Sequence, residues 1–312
     1  MARPLRIEYP GAVYHVLNRG DHKGSIFLDD GDGHDFIRTL AEACQKTGFE
    51  IHAYCLMRNH FHLVVETPAA NLVAGMRWLT STYANRFNHR HGRCGHVFSG
   101  RYKALPVESE SVGYLRAVCD YTHLNPVRAK ALSTQSRLWE YPWSSFASYL
   151  TEPRHRPKWL RVDRLLGQHG ITQDTAGGRR EFERRMETRR TEEGDPRQWK
   201  GMRRGWCVGS LQFKHSLLER LHGNLGPDHA GDIRQQASQA QAESIIAAEL
   251  RRFGWKKADL TQKAKLHPSK LALAARLRRE TTLTIQQIAD RLRMGSRKSL
   301  APKLHTWKKA NE

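Results

Sequence analysis

The chain lacks the features of exported, disulfide-bonded and membrane-spanning proteins. Its five cysteines are scattered and form no Cys-x-x-Cys pair, which argues against a disulfide framework and against a zinc ribbon. No apolar run approaches the roughly 20 residues that a membrane-spanning helix needs, and the first residues do not resemble a signal peptide. We therefore expect a soluble, cytoplasmic protein that does not act at a membrane.

Acidic residues are also in short supply. The 312 residues include 31 Asp and Glu against 52 Lys and Arg, which gives a formal net charge of +21. Such an excess is typical of chains that neutralise phosphates, and here it is spread along the whole length rather than confined to a tail. Nucleic acid is therefore the first partner to consider, and the length allows two folded units.

Residues 1–150 alternate between strand and helix patterns. Their order, βαββαβα, predicts an α+β, ferredoxin-like fold in which helices cover one face of a central antiparallel sheet. The predicted strands are residues 12–17, 49–57, 61–66 and 96–107, and the predicted helices are residues 34–47, 71–88 and 109–124.

The rest of the chain has helical patterns. Residues 151–237 are rich in charge and glycine and are predicted to be a helical connector region. Residues 238–312 are predicted to be an all-α domain, in which a helix, a short turn at Gly295 and a basic helix have the pattern of a helix-turn-helix. Pro302 complicates the basic helix, because proline inside a helix costs about 3 kcal/mol. That helix therefore either starts late or is irregular.

A His-x-His motif lies in the third predicted strand. His60 and His62 are two residues apart, so on a strand both imidazoles leave the same face and can converge on one ion. A divalent cation there would stabilise charge that develops at a phosphate. Taken alone, the pattern equally describes two hydrogen-bonded histidines on a half-buried strand.

A tyrosine and an amide follow at helical spacing. Tyr121 and Asn125 are four residues apart, so they share one face of a helix, with about 5 to 6 Å between their Cβ atoms. A nucleophile and a third metal ligand would then face the same site. Tyr114 is the rival nucleophile on nearly the same face, but no amide follows it one turn later.

Three segments, MRNHFHLVVE, GHVFSGRYKA and YTHLNPVRA, resemble the REP-associated tyrosine transposases, a branch of the single-tyrosine HUH transposases. The likeness is dense over residues 1–150. It implies that His60 and His62 bind Mg²⁺ or Mn²⁺, that Asn125 completes the metal site and that Tyr121 is the nucleophile. It further implies a transposase that cuts and rejoins single-stranded DNA with a REP-like hairpin through a 5′-phosphotyrosine.

A second likeness covers about 40 residues at the C-terminal end. The segment ARLRRETTLTIQQIADRLRMGSRKSL resembles the DNA-binding domain of the bacterial chromosomal replication initiator, which implies contacts with duplex DNA. Across both parts of the chain we predict eight DNA-contacting residues. They are Asn18, Arg19, Arg101, Lys103, Arg128, Arg297, Lys298 and Lys303.

Two other functions remain open at this stage. A non-catalytic regulator derived from a transposase would use the basic surface and the helix-turn-helix alone, and would not need His60, His62, Tyr121 and Asn125. A replication-initiating or conjugative nuclease would share the chemistry, but the chain has neither a Gly-x-x-x-x-Gly-Lys-Ser/Thr loop nor a second tyrosine in the YTHLNP segment. The sequence is compatible with a monomer or a homodimer.

Overall fold

The computed structural model describes residues 6–111, 113–133, 135–192, 205–221, 231–281 and 283–311. Contacts divide the chain into two compact units, with the division between Phe213 and Lys214. Among the described helices, none has the length and apolar character needed to cross a bilayer.

A four-stranded antiparallel sheet forms the centre of the first unit, as predicted. Its strands are β1 (Ala12–Arg19), β2 (Glu50–Met57), β3 (His60–Thr67) and β4 (Lys103–Val107), in the order β2-β3-β1-β4. The two-residue break Arg58-Asn59 joins β2 and β3 into a hairpin. β4 is shorter than predicted, because Phe98 makes only an isolated bridge to Gly20.

Three helices complete the predicted βαββαβα order: α1 (Asp30–Thr47), α2 (Leu72–Arg90) and α3 (Tyr114–His123). Helix α1 starts earlier than predicted because the Asp29 side chain accepts a hydrogen bond from the Asp32 backbone. It ends at Gly48, whose φ of 74° is the left-handed conformation that glycine adopts readily.

The prediction that the helices cover one face of the sheet was wrong. Phe61 packs on Phe36 of α1, with ring centroids 4.8 Å apart, whereas the next residue, His62, meets Tyr121 of α3 at 5.7 Å. Neighbouring residues of a strand point to opposite faces, so α1 and α3 lie on opposite sides. The reason is that β3 is buried on both faces, and both need covering.

The segment after α3 packs back onto the first unit. It contains α4 (Asn125–Arg128), α5 (Phe146–Leu150), α6 (Asp163–Gln168) and α7 (Ala176–Glu192). Phe182 and Met186, one turn apart on α7, are fully buried, and the Phe182 ring stacks on Tyr149 of α5. Residues 151–192 thus contribute to the same core as the sheet, whereas the sequence had predicted a connector between boundaries at 150 and 237.

Helices also build the second unit. Helix α8 (Leu211–Leu221) contains the division between the units. The described helices that follow it are α9 (Gly231–Phe253), α10 (Asp259–Gln262), α11 (Pro268–Glu280), α12 (Ile285–Arg291) and α13 (Arg297–Asn311). The turn between α12 and α13 contains Gly295 at a φ of 89°. Helix α13 begins at Arg297 and continues through Pro302, so the helix does not start late to avoid the proline.

A partly buried carboxylate attaches α6 to the sheet. The Glu66 side chain on β3 is 12% exposed and accepts hydrogen bonds from His52 at 2.8 Å and from Arg164 at 2.7 Å. Burial raises the pKa of Glu66, but hydrogen bonds from His52 and Arg164 outweigh burial and lower the pKa to about 2. The ionised carboxylate therefore stabilises the native state.

We expect Glu66→Gln to lower the free energy of unfolding by about 2 kcal/mol at neutral pH. A carboxylate with a depressed native pKa stabilises fully above its unfolded pKa of about 4.5, and this contribution disappears as the pH falls towards 2. Urea unfolding of both proteins at pH 7 and near pH 3 should show the difference shrinking.

Glu110→Gln is the matched control for this experiment. Glu110 also pairs with Arg164, but its side chain is 88% exposed. Loss of such a surface pair should cost less than about 1 kcal/mol. Equal effects of the two substitutions would contradict the assignment to Glu66.

Candidate active site

Strand register places a polar face next to α3. His60 and His62 alternate with Phe61 on β3, and β1 pairs in register so that Arg19 lies opposite His60 and Leu17 opposite His62. Directly paired residues share a face of the sheet. The two histidines therefore lie on a face that also has a cation from β1.

Tyr121 and Asn125 meet this face from the other layer. Pro126 has no N–H to continue the helix, and the chain passes through Leu124 from α3 directly into α4. Both side chains still face the sheet, and the predicted ligands and nucleophile share one cleft of about 370 Å³. Its lining consists of Leu17, Arg19, His60, His62, Tyr121, Asn125, Arg128 and Ala129.

The tautomer of His60 is fixed by its neighbour. The amide nitrogen of Asn59 donates to the Lys23 carbonyl at 3.2 Å, which turns the amide oxygen towards His60. That oxygen lies 2.7 Å from His60 Nδ1 and can only accept, so Nδ1 carries the proton. The lone pair of His60 is therefore on Nε2.

His62 has a histidine as its partner. Its Nδ1 lies 3.0 Å from Nε2 of His15 on β1, and the two rings are stacked with centroids 5.2 Å apart. His15 also contacts the edge of the Tyr121 ring at 5.6 Å. Sequence reasoning missed both His15 and Asn59, because the first becomes visible only through the register between β1 and β3.

All three imidazoles are neutral near physiological pH. Burial, with a smaller contribution from the Arg19 charge, lowers the pKa of His60 to about 4. Burial lowers the pKa of His15 to about 3 and holds the pKa of His62 well below its usual value. Neutral imidazoles are the form that binds metal ions.

Arg128 holds the Tyr121 ring in place. Its guanidinium carbon lies 4.0 Å from the ring centroid, a cation–π contact, and its Nη2 donates to the Tyr121 carbonyl. Because Arg128 also lines the cleft, one side chain both restrains the ring and places positive charge in the cleft.

Buried polar contacts anchor the helix that carries Tyr121. Asp120 is fully buried, accepts a hydrogen bond from His169 Nε2 at 2.9 Å and pairs with Arg189 of α7. His123 points away from the cleft, and its Nε2 is 2.8 Å from the Ser145 hydroxyl. These contacts keep the face of α3 that carries Tyr121 directed towards the sheet.

The structure does not bring every predicted residue to the cleft. Lys103 is the first residue of β4 and pairs with Leu17, so the two side chains share a face of the sheet. Burial lowers the pKa of Lys103. Asn18 is buried on the opposite face, where it accepts a hydrogen bond from the Arg19 backbone, and Arg101 is exposed before β4. Tyr114 begins α3 and is not among the cleft residues.

The remaining predicted DNA contacts belong to the second unit. They lie on α13 with exposed side chains, and are Arg297, Lys298 and Lys303.

Another group of potential metal ligands is already paired. Asp29, Asp32 and His91 place one ligand atom each within 4.8 Å of one another. Arg90, however, binds both carboxylates, at 2.7 Å and 2.8 Å, and His91 is hydrogen-bonded to Asp32. Both carboxylates are thus already engaged by side chains of the protein itself.

Part of the cleft lies in a segment that is similar to a known transposase family, whereas Asn125, Arg128 and Ala129 follow that segment. Residues 9–123 match the family model described as "Transposase IS200 like", and the matched range includes His60, His62 and Tyr121. A solved structure described as "Structure of the REP associates tyrosine transposase bound to a REP hairpin" has 16% sequence identity and a TM-score of 0.40. That alignment covers 52% of this chain and 92% of the other. No curated protein matches the chain.

We expect Asp120→Asn to lower the free energy of unfolding by about 2 kcal/mol, because it leaves Arg189 and His169 without their buried counter-charge. Urea unfolding measures this loss. Glu181→Gln on the exposed side of α7 removes a surface partner of Arg184 and Arg185 and should change stability little. Wild-type stability in Asp120→Asn would show that the buried pair does not hold α3.

Proposed function

We propose that the protein is a metal-dependent endonuclease and strand transferase for single-stranded DNA, a transposase that acts on hairpin-forming repeat DNA through a 5′-phosphotyrosine. The observation that carries this proposal is the single cleft that contains two neutral histidines, an amide and a tyrosine from separate layers. The IS200-like family match over residues 9–123 supports the same reaction class.

The cleft residues fit a divalent cation. His60 uses its Nδ1 for the bond to Asn59 and His62 uses its Nδ1 for the bond to His15, so neither bond occupies the Nε2 position of its ring. Asn125 adds an amide oxygen, and this mixture of nitrogen and oxygen ligands is compatible with Mg²⁺ or Mn²⁺. When bound, such an ion polarises a phosphate oxygen and stabilises the negative charge that builds up at phosphorus.

Tyr121 supplies the nucleophile in this proposal. Its phenol oxygen forms a bond to phosphorus while the bond from phosphorus to the 3′ oxygen breaks, which leaves a 5′-phosphotyrosine and a free 3′-OH. The phenol loses its proton and the departing oxygen gains one. Because one phosphate ester replaces another, a 3′-OH can reverse the step and rejoin DNA without ATP.

Arginines position the substrate. Arg19 and Arg128 line the cleft and provide the positive charge that a scissile phosphate requires. Arg128 additionally restrains the Tyr121 ring, so binding of the phosphate and orientation of the nucleophile involve the same side chain. The exposed Arg297, Lys298 and Lys303 of α13 are proposed to bind the duplex stem of a hairpin.

A covalent adduct tests the nucleophile. We expect wild-type protein with Mn²⁺ and labelled single-stranded hairpin DNA from its own genomic flanks to give a labelled protein band on a denaturing gel. Tyr121→Phe should lose this band and still bind the DNA, because only the attacking oxygen is removed. Tyr114→Phe is the matched control and should keep the band.

The two tyrosine variants separate the alternatives. An adduct that survives Tyr121→Phe and disappears in Tyr114→Phe would move the nucleophile to Tyr114. Tight binding without an adduct for any flank would instead favour a non-catalytic regulator.

Loss of a ligand tests the metal requirement. We expect His60→Ala to weaken Mn²⁺ binding at least about tenfold and to abolish cleavage, because it removes one of the two imidazole ligands. His89→Ala, which removes an exposed histidine from α2, is the control and should behave as wild type. Isothermal titration with Mn²⁺ and the gel assay, with EDTA and with Mn²⁺ restored, measure the two effects. Cleavage that persists in EDTA would contradict metal dependence.

A further inference from the structure

His15 contacts both halves of the cleft without lining it. It is fully buried on β1, its Nε2 lies 3.0 Å from His62 Nδ1, and its ring meets the edge of Tyr121. Its other nitrogen, Nδ1, is buried with no hydrogen-bond partner in the structure. A buried polar atom of this kind destabilises a fold, so the stability of the sheet does not explain a histidine at this position.

The bond between His15 and His62 has two possible forms. A neutral imidazole has one N–H and one lone pair. If His62 Nδ1–H donates to His15, the lone pair of His62 lies on Nε2. If His15 Nε2–H donates instead, His62 carries its proton on Nε2 and has no lone pair there for a cation. The choice between the two forms therefore determines whether His62 can act as a ligand.

We propose that His15 is a positioning residue that holds His62 in its metal-binding form. By accepting a hydrogen bond from His62 Nδ1–H, His15 leaves the Nε2 lone pair of His62 available, and the stacked geometry sets the plane of the ring. Asn59 does the same for His60 with an oxygen that can only accept. This inference rests on the proposed function, because it assigns a partner to one of the proposed ligands.

Side-chain length gives a sharp test in the full-length protein. Glutamine at position 15 places its amide oxygen near the position of the histidine Nε2, whereas the shorter asparagine mimics the Nδ1 position, which has no partner. Isothermal titration with Mn²⁺ should give His15→Gln an affinity within about threefold of wild type. His15→Asn and His15→Leu should bind Mn²⁺ about 10- to 100-fold more weakly.

The controls separate failure of this inference from failure of the proposed function. Wild-type protein that does not bind Mn²⁺, or binding that is unaffected by His60→Ala, would contradict the proposed metal site and this inference with it. Binding that depends on His60 and is equally strong in all three position-15 variants would overturn only the role of His15. Equal weakening in His15→Gln and His15→Leu would overturn the hydrogen-bond assignment.

Stability and spectroscopy provide readouts that do not depend on activity. The melting temperature of His15→Leu without metal should stay within about 5 °C of that of wild type, since the substitution removes the unpartnered Nδ1 of His15 but leaves His62 Nδ1 without its partner; a larger fall would indicate a structural residue instead. In metal-free wild-type protein with ¹⁵N-labelled histidine, the proton of His62 should be on Nδ1, since His15 and not a bound ion is proposed to set the tautomer. A proton on Nε2 would overturn the proposal.

Discussion

Strand β3 is buried on both faces, and the rest of the first unit depends on how it satisfies that constraint. Phe61 and the residues two and four positions after it face α1 and α2, where aromatic packing excludes water. His60 and His62 face the other layer, and burial there keeps both imidazoles neutral. One alternating pattern thus produces a hydrophobic core on one side and a cleft with ligand atoms on the other. A shift of register by one residue would move the apolar side chains of β3 to the cleft face and the two histidines to the core face.

The opposite wall of the cleft depends on a different kind of contact. Helix α3 is only 10 residues long, and its position is set by buried polar partners as well as by apolar packing. Asp120 is joined to His169 and Arg189, so the α6–α7 segment fixes the residue adjacent to Tyr121, the proposed nucleophile. Phe182 inserts between Tyr149 and His169 and keeps this segment against the core. The part of the chain that resembled a connector therefore contributes to the geometry of the site.

Sequence pattern predicted the local elements and their order because each has a clear period. It did not predict that helices lie on both faces, since the strand-helix order alone does not specify how far a later helix crosses over the sheet. The role of α7 was also hidden, because Phe182 and Met186 are the only large apolar side chains in a helix that consists mostly of charged residues. His60, His62, Tyr121 and Asn125 were accessible from spacing and resemblance, whereas His15 required the pairing of Leu17 with His62.

The charge balance of the cleft explains why a histidine suits position 15 better than a carboxylate. Metal-bound histidines commonly donate their other ring N–H to a carboxylate, which increases the basicity of the ligand. The described residues that line this cleft include no Asp or Glu, and Arg19 and Arg128 contribute positive charge. A carboxylate at position 15 would be buried beside His62 and would repel an incoming phosphate. Under the proposed function, a neutral imidazole would instead orient His62 and leave the positive charge for a polyanionic substrate.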